Sequence, residues 1–494
     1  MINMKIKSTN STFKKIESIK NKYLIHNHVS NMNLYDQING FFNPRSIAVI
    51  GASTKPGKIG YAVTENLLDF HYAGGKLYPV NPRAEEIFGI KAYKQVKDIP
   101  ENIDMAVIVV RSETVPDIID QCAEKNVRNV VIISGGFKEL GGKYRDLEAE
   151  IAERARKHGM RIIGPNCIGV YDPRTKVDTF FQPKSRMLRP GPGNVAFLTQ
   201  SGTYGIILLE WAAMDYLGVS KFVSYGNKMD VDEADLILYL KEEKYTKVIG
   251  IYLEGLGDGR KFFAAAKEVT KEKPIVVLRG GWSEAAMKAA LSHTGFLGGK
   301  GRIYESAFKQ AGVIRAKTLE ELYDMVKALA KQKKAKGPRV AMVSNGAGPM
   351  VQAIDSVVVE GLEIATLEHR TIELLKSKLP PYAIIDNPLD LTGSATINEY
   401  MVAIDILLDD KNVDMLYVFF VHQNSPMSED IITVMDELNK KAKEIEKPIL
   451  VGAAGGPYTI EINKKLEKLG IPTFPIPDRL VAASKALYLW GKLV

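Results

Sequence analysis

From residue 46 the chain alternates short, continuously apolar runs with longer stretches in which apolar residues recur every three or four positions. "SIAVIGAS", "KLYPVNP", "DMAVIVV", "NVVIISGG" and "MRIIGPN" read as strands buried on both faces, with helices such as "VPDIIDQCAEK" and "YRDLEAEIAERARKHG" among them. Valine- and isoleucine-rich strands separated by amphipathic helices predict parallel, doubly wound sheets. The pattern pauses at "QPKSRMLRPGPG" (182–193), a proline- and glycine-rich linker by composition. It resumes with "NVAFLT", "KFVSYG", "VIGIYLEG" and "PIVVLRGG". After "LEELYDMVKALAKQKKAKGP" (319–338), a helix that decays into a lysine-rich linker, a third run offers "RVAMVSNG", "MLYVFFV", "PILVGAAGG" and "IPTFP". The reading is therefore an α/β protein of three doubly wound domains, at 40–185, 190–330 and 338–494, behind a leader at 1–39. A chain of 494 residues is long enough for three cores.

Composition narrows the class. Hydrophobic residues at 46% and charged residues at 25% describe a water-soluble globular chain, and no apolar run approaches a membrane span. Neither a membrane nor nucleic acid is expected as partner. The net charge of +8 is concentrated: residues 1–30 carry six lysines against one acid, so the leader is read as a basic, flexible, solvated tail. Met32 is a candidate alternative translation start. Two cysteines, Cys122 and Cys167, suit a reducing cytoplasm better than a disulfide scaffold.

The candidate chemistry lies where strands end. "VIGASTKPGKIGYAV" puts Gly51, Gly57 and Gly60 between a strand and a helix, with Lys55 and Lys58 beside them, an arrangement that suits an anionic ligand. Its spacing is neither the G-x-G-x-x-G dinucleotide fingerprint nor a P-loop. "LTQSGTYG" and "VSNGAGPM" each open a helix with small residues whose amides can hold a phosphate. The first supplies Ser201, Gly202 and Thr203; the second Asn345, Gly346, Ala347 and Gly348, with Pro349 at the expected first helical position. Either one alone reads more readily as an ordinary cap. Of seven histidines, His293 in "AALSHTGFLGG" lies among small residues and glycines, and His422, after a buried strand, is its rival. No cysteine, aspartate or histidine stands at metal spacing from His293, so a metal role is not expected. An exposed neutral imidazole can act as a nucleophile, provided a carboxylate fixes its tautomer, and Glu254 at a strand end is the candidate. Asp230, Asp232 and Asp235 resemble a metal loop but lack the spacing, and are read as helix-capping residues.

Taken in order, "FFNPRSIAVIGAS", "IGPNCIGV", "QSGTYG", "YGNKMDVDEAD", "YLEG", "SHTGFLGG", "NGAGPM", "NPLDLTGSA" and "VGAAGG" resemble the alpha subunits of ADP-forming acetyl-CoA synthetases, relatives of succinyl-CoA synthetase. The resemblance covers residues 40–494. It implies a Rossmann-like, coenzyme A-binding first domain followed by two flavodoxin-like ligase domains. It makes Gly51, Ser53, Lys55, Gly57, Pro82, Val110, Ser134, Gly135 and Asn166 candidate CoA contacts. It further implies that acyl-CoA, either acetyl-CoA or a related short or aryl acyl-CoA, reacts with inorganic phosphate to an acyl phosphate. The phosphoryl group would pass to His293, steadied by Glu254, and then to ADP. The two helix starts would hold the phosphate in transit. ADP and Mg²⁺ are expected on a separate ATP-grasp beta subunit, in a cytoplasmic α2β2 assembly. Trp282, Ala286 and Phe296 depart from the family pattern around the histidine. A noncatalytic CoA-binding or acyl-CoA-sensing protein of the same fold is the alternative, and a dehydrogenase is disfavoured by the glycine spacing.

Overall fold

The computed structural model describes residues 32–281 and 301–494. The first sheet has strands β1 (Ser46–Ile50), β2 (Lys76–Val80), β3 (Met105–Ile108), β4 (Asn129–Ile132) and β5 (Arg161–Ile163), all parallel, in the order β2-β1-β3-β4-β5. β1 and β3 are buried along their whole length, as continuous apolar runs covered by helices on both faces require. The order reverses between β1 and β3, so a crevice opens there at the carboxyl ends of the strands.

The second sheet is larger than its sequence segment. β6 (Gly169–Asp172), β7 (Val177–Asp178), β8 (Pro192–Thr199), β9 (Val219–Ser224), β10 (Val248–Leu253), β11 (Ile275–Arg279) and β12 (Ile314–Ala316) run in the order β12-β11-β10-β8-β9-β6-β7. β6 and β7, which the sequence reading leaves with the first domain, hydrogen-bond antiparallel to the edge of the second sheet. The 182–193 stretch is tied down rather than free. Buried Asp178 pairs with Arg189 at 2.8 Å, and Asn66 donates to the carbonyls of Phe180 and Gln182.

In the third sheet, β13 (Arg339–Ser344), β14 (Glu363–Ile364), β16 (Met415–Phe419), β17 (Ile449–Gly452) and β18 (Thr473–Phe474) run β14-β13-β16-β17-β18, with β15 (Leu389–Asp390) also paired to β13. The helices that bear on the site are α1 (Leu34–Asn39), α2 (Ile59–Asn66), α3 (Gly202–Met214), α4 (Glu233–Glu242), α5 (Gly301–Gln310), α6 (Leu319–Lys331), α7 (Ala347–Val359), α8 (Ile397–Asp409) and α9 (Pro477–Leu493).

Two joints fix the domains to one another. α1, at the end of the segment read as leader, is an ordered helix: Tyr35 stacks on Tyr239 of α4 at 5.2 Å, and Gln37 accepts from Arg161. The last turns of α6 form the second joint. Lys327 reaches Glu467, Asp215 and the carbonyl of Thr473, Lys331 also pairs with Glu467, and Asp324 holds Arg479 of α9.

Candidate functional site

The nine expected CoA contacts lie along the carboxyl edge of the first sheet. Gly51 ends β1 at φ +92°, and its amide donates to Val80; a Cβ there would lie 2.6 Å from the carbonyl of Val109 and 2.8 Å from Val110. Only glycine accommodates both that torsion and that approach. Ser53 Oγ accepts from the amide of Lys55, while Gly57 (φ +83°) has open space around it. Asn81 donates to the carbonyl of Ala52 and so brings Pro82 beside the glycine loop. Ser134 follows β4 and accepts from the amide of Asn166, and Gly135 faces the Asn166 side chain. The second domain closes this edge at Asn166: Asn227 donates its amide to Pro165, and a Cβ on Gly226 would meet the carbonyls of Pro165 and Asn166 at 2.3 Å.

The second cluster stands at the carboxyl ends of β8, β10 and β11. Ser201 caps α3, its Oγ accepting from the amide of Tyr204 at 3.4 Å. The amides of Gly202 and Thr203 precede it in the first turn, where helix geometry provides no acceptor. Glu254 follows β10 directly. Its amide and that of Gly255 both donate to Gln200 Oε1, at 2.6 and 3.1 Å, so the residue before the α3 cap also fixes the acid. From the other side the buried Lys228 donates to the carbonyl of Gly255 while paired with Glu233 at 3.0 Å. Burial pushes the Lys228 ammonium down and the Glu233 carboxyl up, against their mutual attraction. Burial, and then the charge of Glu254, push the phenol of Tyr252 up; Tyr204 packs edge-on against that ring at 4.6 Å. Gly280 ends β11 with its amide on Leu253, and a Cβ there would lie 2.9 Å from the Tyr252 hydroxyl. The strand that leads to the histidine segment thus leaves beside Glu254. His293, Trp282, Ala286 and Phe296 lie outside the described residues.

The third cluster gathers at the carboxyl ends of β13, β15 and β16. Asn345 is buried; its side chain accepts from the amide of Val421 and donates to the Val421 carbonyl, and Tyr400 of α8 donates to it. Gly346 is the cap of α7, its amide held by Ser344 Oγ at 3.0 Å. The helix begins at Ala347, two residues before the expected start, so Pro349 is its third residue. The two helix starts thereby become alike: each leaves two first-turn amides without an acceptor, Gly202 and Thr203 in one, Ala347 and Gly348 in the other. The third position is closed by the Ser201 cap in α3 and by proline, which has no N–H, in α7.

The remaining sequence candidates resolve simply. Asp232 caps α4, while Asp230 and Asp235 hold Arg161 at 2.8 and 2.9 Å. Among the described residues no group of three or more His, Cys, Asp or Glu is placed to hold a metal ion, and no helix is long and apolar enough to cross a membrane. Cys122 and Cys167 are both buried and unpaired. His422 is 3% exposed, stacks on Phe420 at 5.2 Å, and its Nε2 has no hydrogen-bond partner; burial pushes its imidazole down to about 4. Sequence reasoning passed over the roles of Gln200, Lys228 and Tyr252, because a side chain that grips a neighbouring backbone leaves no periodic or spacing signal.

Comparison with known proteins gives these edges their context. Residues 45–173 match the family described as CoA binding domain, 192–329 the succinyl-CoA ligase like flavodoxin domain, and 340–493 the ligase-CoA domain. Three such domains in series define an acyl-CoA ligase. The alpha subunit of acetate–CoA ligase [ADP-forming] II from Pyrococcus furiosus is 44% identical over 460 residues, covering 92% of this chain and 98% of its own. The acetate–CoA ligase [ADP-forming] of Methanocaldococcus jannaschii is 40% identical over 91% of this chain, which spans 62% of that longer protein. The dinucleotide-forming acetyl-coenzyme A synthetase 1 of Ca. Korarchaeum cryptofilum, solved in complex with phosphate and ADP, superposes with a TM-score of 0.85 at 38% identity, covering 92% and 97% of the two chains. The chain belongs to the alpha subunits of the ADP-forming acetate–CoA ligases.

Proposed function

We propose that the chain converts acyl-CoA and inorganic phosphate to free acid and CoA, conserving the energy as a phosphohistidine that makes ATP. A phosphate oxygen attacks the thioester carbonyl, the C–S bond breaks, and CoA leaves as the thiolate. An imidazole nitrogen of His293 then attacks phosphorus, the bond from phosphorus to the acyl oxygen breaks, and the carboxylate departs. A terminal oxygen of ADP finally takes the phosphoryl group as the P–N bond breaks. Glu254 binds the far ring nitrogen of His293, fixing its tautomer and offsetting the positive charge on the phosphorylated ring. CoA lies along Gly51, Ser53, Lys55, Gly57, Pro82, Val110, Ser134, Gly135 and Asn166. Ser201, Gly202 and Thr203, and Asn345, Gly346, Ala347 and Gly348, hold phosphate oxygens in turn. The observation that carries this reading is the matched pair of helix starts, each with two free amides, one of them joined to Glu254 through Gln200.

Acetyl-CoA is the proposed substrate, with other short or aryl acyl-CoA thioesters as variants of the same chemistry. ADP and Mg²⁺ belong to an ATP-grasp beta subunit. The two P. furiosus relatives, each matched over 98% of its length, are named alpha subunits, which supports a separate partner chain. The assembly is proposed to be a cytoplasmic α2β2 tetramer. To test the reading, the protein is incubated with acetyl-CoA and labelled phosphate, with the beta subunit present. An acid-labile, base-stable label on His293 is expected; its absence refutes the enzyme. His293→Ala is expected to lose turnover and still bind CoA.

A further inference from the structure

Two neighbouring side chains on one short loop reach for two different sites. Residues 225–228 follow β9 and touch both the CoA edge and the second cluster. The buried Asn227 sends its side-chain amide into the first domain, donating to Glu139 at 2.6 Å and to Glu148 at 3.0 Å. Lys228, the next residue, donates instead to the carbonyl of Gly255, the residue after Glu254. The loop has little slack. Gly226 and Lys228 both stand at φ +47°, and a left-handed lysine persists only where its surroundings hold it. Backbone bonds supply that hold, from Asn227 to Pro165, Lys228 to Tyr225 and Met229 to Gly164.

Glu139 is the first domain's half of the joint. Its Oε1 accepts from the amides of Gly136 and Phe137 at 2.6 and 3.1 Å, while its Oε2 accepts from Asn227. A Cβ on Gly135 would lie 3.2 Å from that Oε1 and 3.3 Å from Asn166 Oδ1. The carboxylate therefore stands against the loop that carries Ser134 and Gly135, two of the candidate CoA contacts. Burial disfavours the charge on Glu139, but the Asn227 donor and then the two amides outweigh it and hold the carboxyl below its usual range. Three N–H donors from two domains thus share one charged acceptor. The contacts run without a break from the 134–137 loop through Glu139, Asn227 and Lys228 to Gly255 and Glu254. Neither Glu139 nor Asn227 has a part in the transfer steps above.

We propose that Asn227 and Glu139 are positioning residues that make the setting of Glu254 depend on whether CoA is bound. CoA seated over Ser134 and Gly135 fixes the loop whose amides Glu139 holds. Asn227 and Lys228 pass that restraint to the backbone at Gly255. The acid is then best set for His293 while the thiol carrier is still in place, which is when acyl phosphate forms and must be consumed. The inference rests on the ligase reading above, and the test separates the two.

The full chain, with the beta subunit present and ADP absent, is labelled at His293 from radioactive acetyl phosphate, which delivers the phosphoryl group without the thioester step. The rate is measured with and without saturating desulfo-CoA, which lacks the thiol and cannot react. Wild-type protein is expected to label about 5- to 20-fold faster with the analogue, a usual size for coupling between two sites. A variant that merely loses stability or catalytic power slows both reactions, so the ratio of the two rates reads the tie alone. In Glu139→Gln one oxygen remains, enough for the loop amides or for Asn227 but not for both, and Glu148 keeps the Asn227 amide from turning over. Asn227→Ala removes the donor outright. Each is expected to bring the ratio within twofold of one. Thermal melting and calorimetry check that each variant is folded and saturated, and if one is not, the other carries the comparison. A wild-type ratio within twofold of one, or variants that keep the wild-type ratio, overturns the tie while the ligase reading stands. Wild-type protein that takes no label under either condition refutes both.

Discussion

Gln200→Ala tests whether Glu254 owes its place to a neighbour rather than to its own strand. The Gln200 side-chain oxygen accepts two backbone N–H groups, from Glu254 at 2.6 Å and Gly255 at 3.1 Å, in a position only 8% exposed. Removing it leaves both donors without an acceptor. Gly255 is buried and loses the larger share; Glu254 is half-buried, and water can meet its amide in part. At about 1–3 kcal/mol for an orphaned buried donor, the expected loss is about 2–4 kcal/mol of local stability. The functional loss should be larger in proportion, since a shift near 1 Å in a catalytic group costs on the order of 100-fold. The assay is the initial rate of phosphate incorporation into His293 from acetyl-CoA, with amide exchange at Glu254 and Gly255 followed in parallel. Expected are faster exchange at both amides, labelling slowed about 10- to 100-fold, and CoA affinity within twofold of wild type. Labelling at the wild-type rate with both amides deprotected would refute the clamp.

Three further outcomes follow from the geometry. Gly51→Ala meets a backbone carbonyl at 2.6 Å at φ +92° and is expected to cost about 2–4 kcal/mol and at least tenfold in CoA affinity by calorimetry; Gly57→Ala, at φ +83° but in open space, should cost only about 1–2 kcal/mol. Glu467→Ala takes from the buried Lys331 its carboxylate partner and leaves Lys327 only Asp215, and should cost about 3–5 kcal/mol in urea unfolding, with CoA binding intact. Because burial lowers His422 to about 4 in the folded protein, the unfolded chain, with an imidazole near 6.5, takes up the proton first as pH falls. Stability should therefore drop by about 3 kcal/mol between pH 6.5 and pH 4, and His422→Phe should remove that part of the slope in acid titrations.

The strands that lead to the clusters were legible in the sequence because burial on both faces makes them continuous apolar runs. The cluster residues were legible because strand ends are punctuated by glycine, serine and asparagine. What escaped was set by tertiary contact. Gly169–Asp172 and Val177–Asp178 are too short to announce which sheet they join, and only their pairing with Val219–Ser224 decides it. Nothing local marks Lys327 and Lys331 as buried until Glu467, some 140 positions later, is folded against them. Pro349 suggested a first helical position by habit, yet the third position tolerates it equally, since that amide also lacks a partner within the helix. The pairing of Gln200 with Glu254 spans 54 residues and has no local trace.

The excursion of β6 and β7 sets where this protein can be cut. A fragment ending at residue 185 would carry away two strands of its neighbour and expose the backbone of β9 along an unpaired edge, an invitation to aggregate. A fragment ending just after β5, with its counterpart beginning at the Gly164–Ile168 crossing, leaves both sheets whole. Even that cut severs the contacts of Gly226 and Asn227 with Pro165 and Asn166. The thiol carrier's berth and the neighbouring catalytic unit are thus consecutive in the gene but not separable modules. Recombining the first domain with a foreign ligase half would have to bring its own hairpin, or borrow one, to finish the partner's sheet.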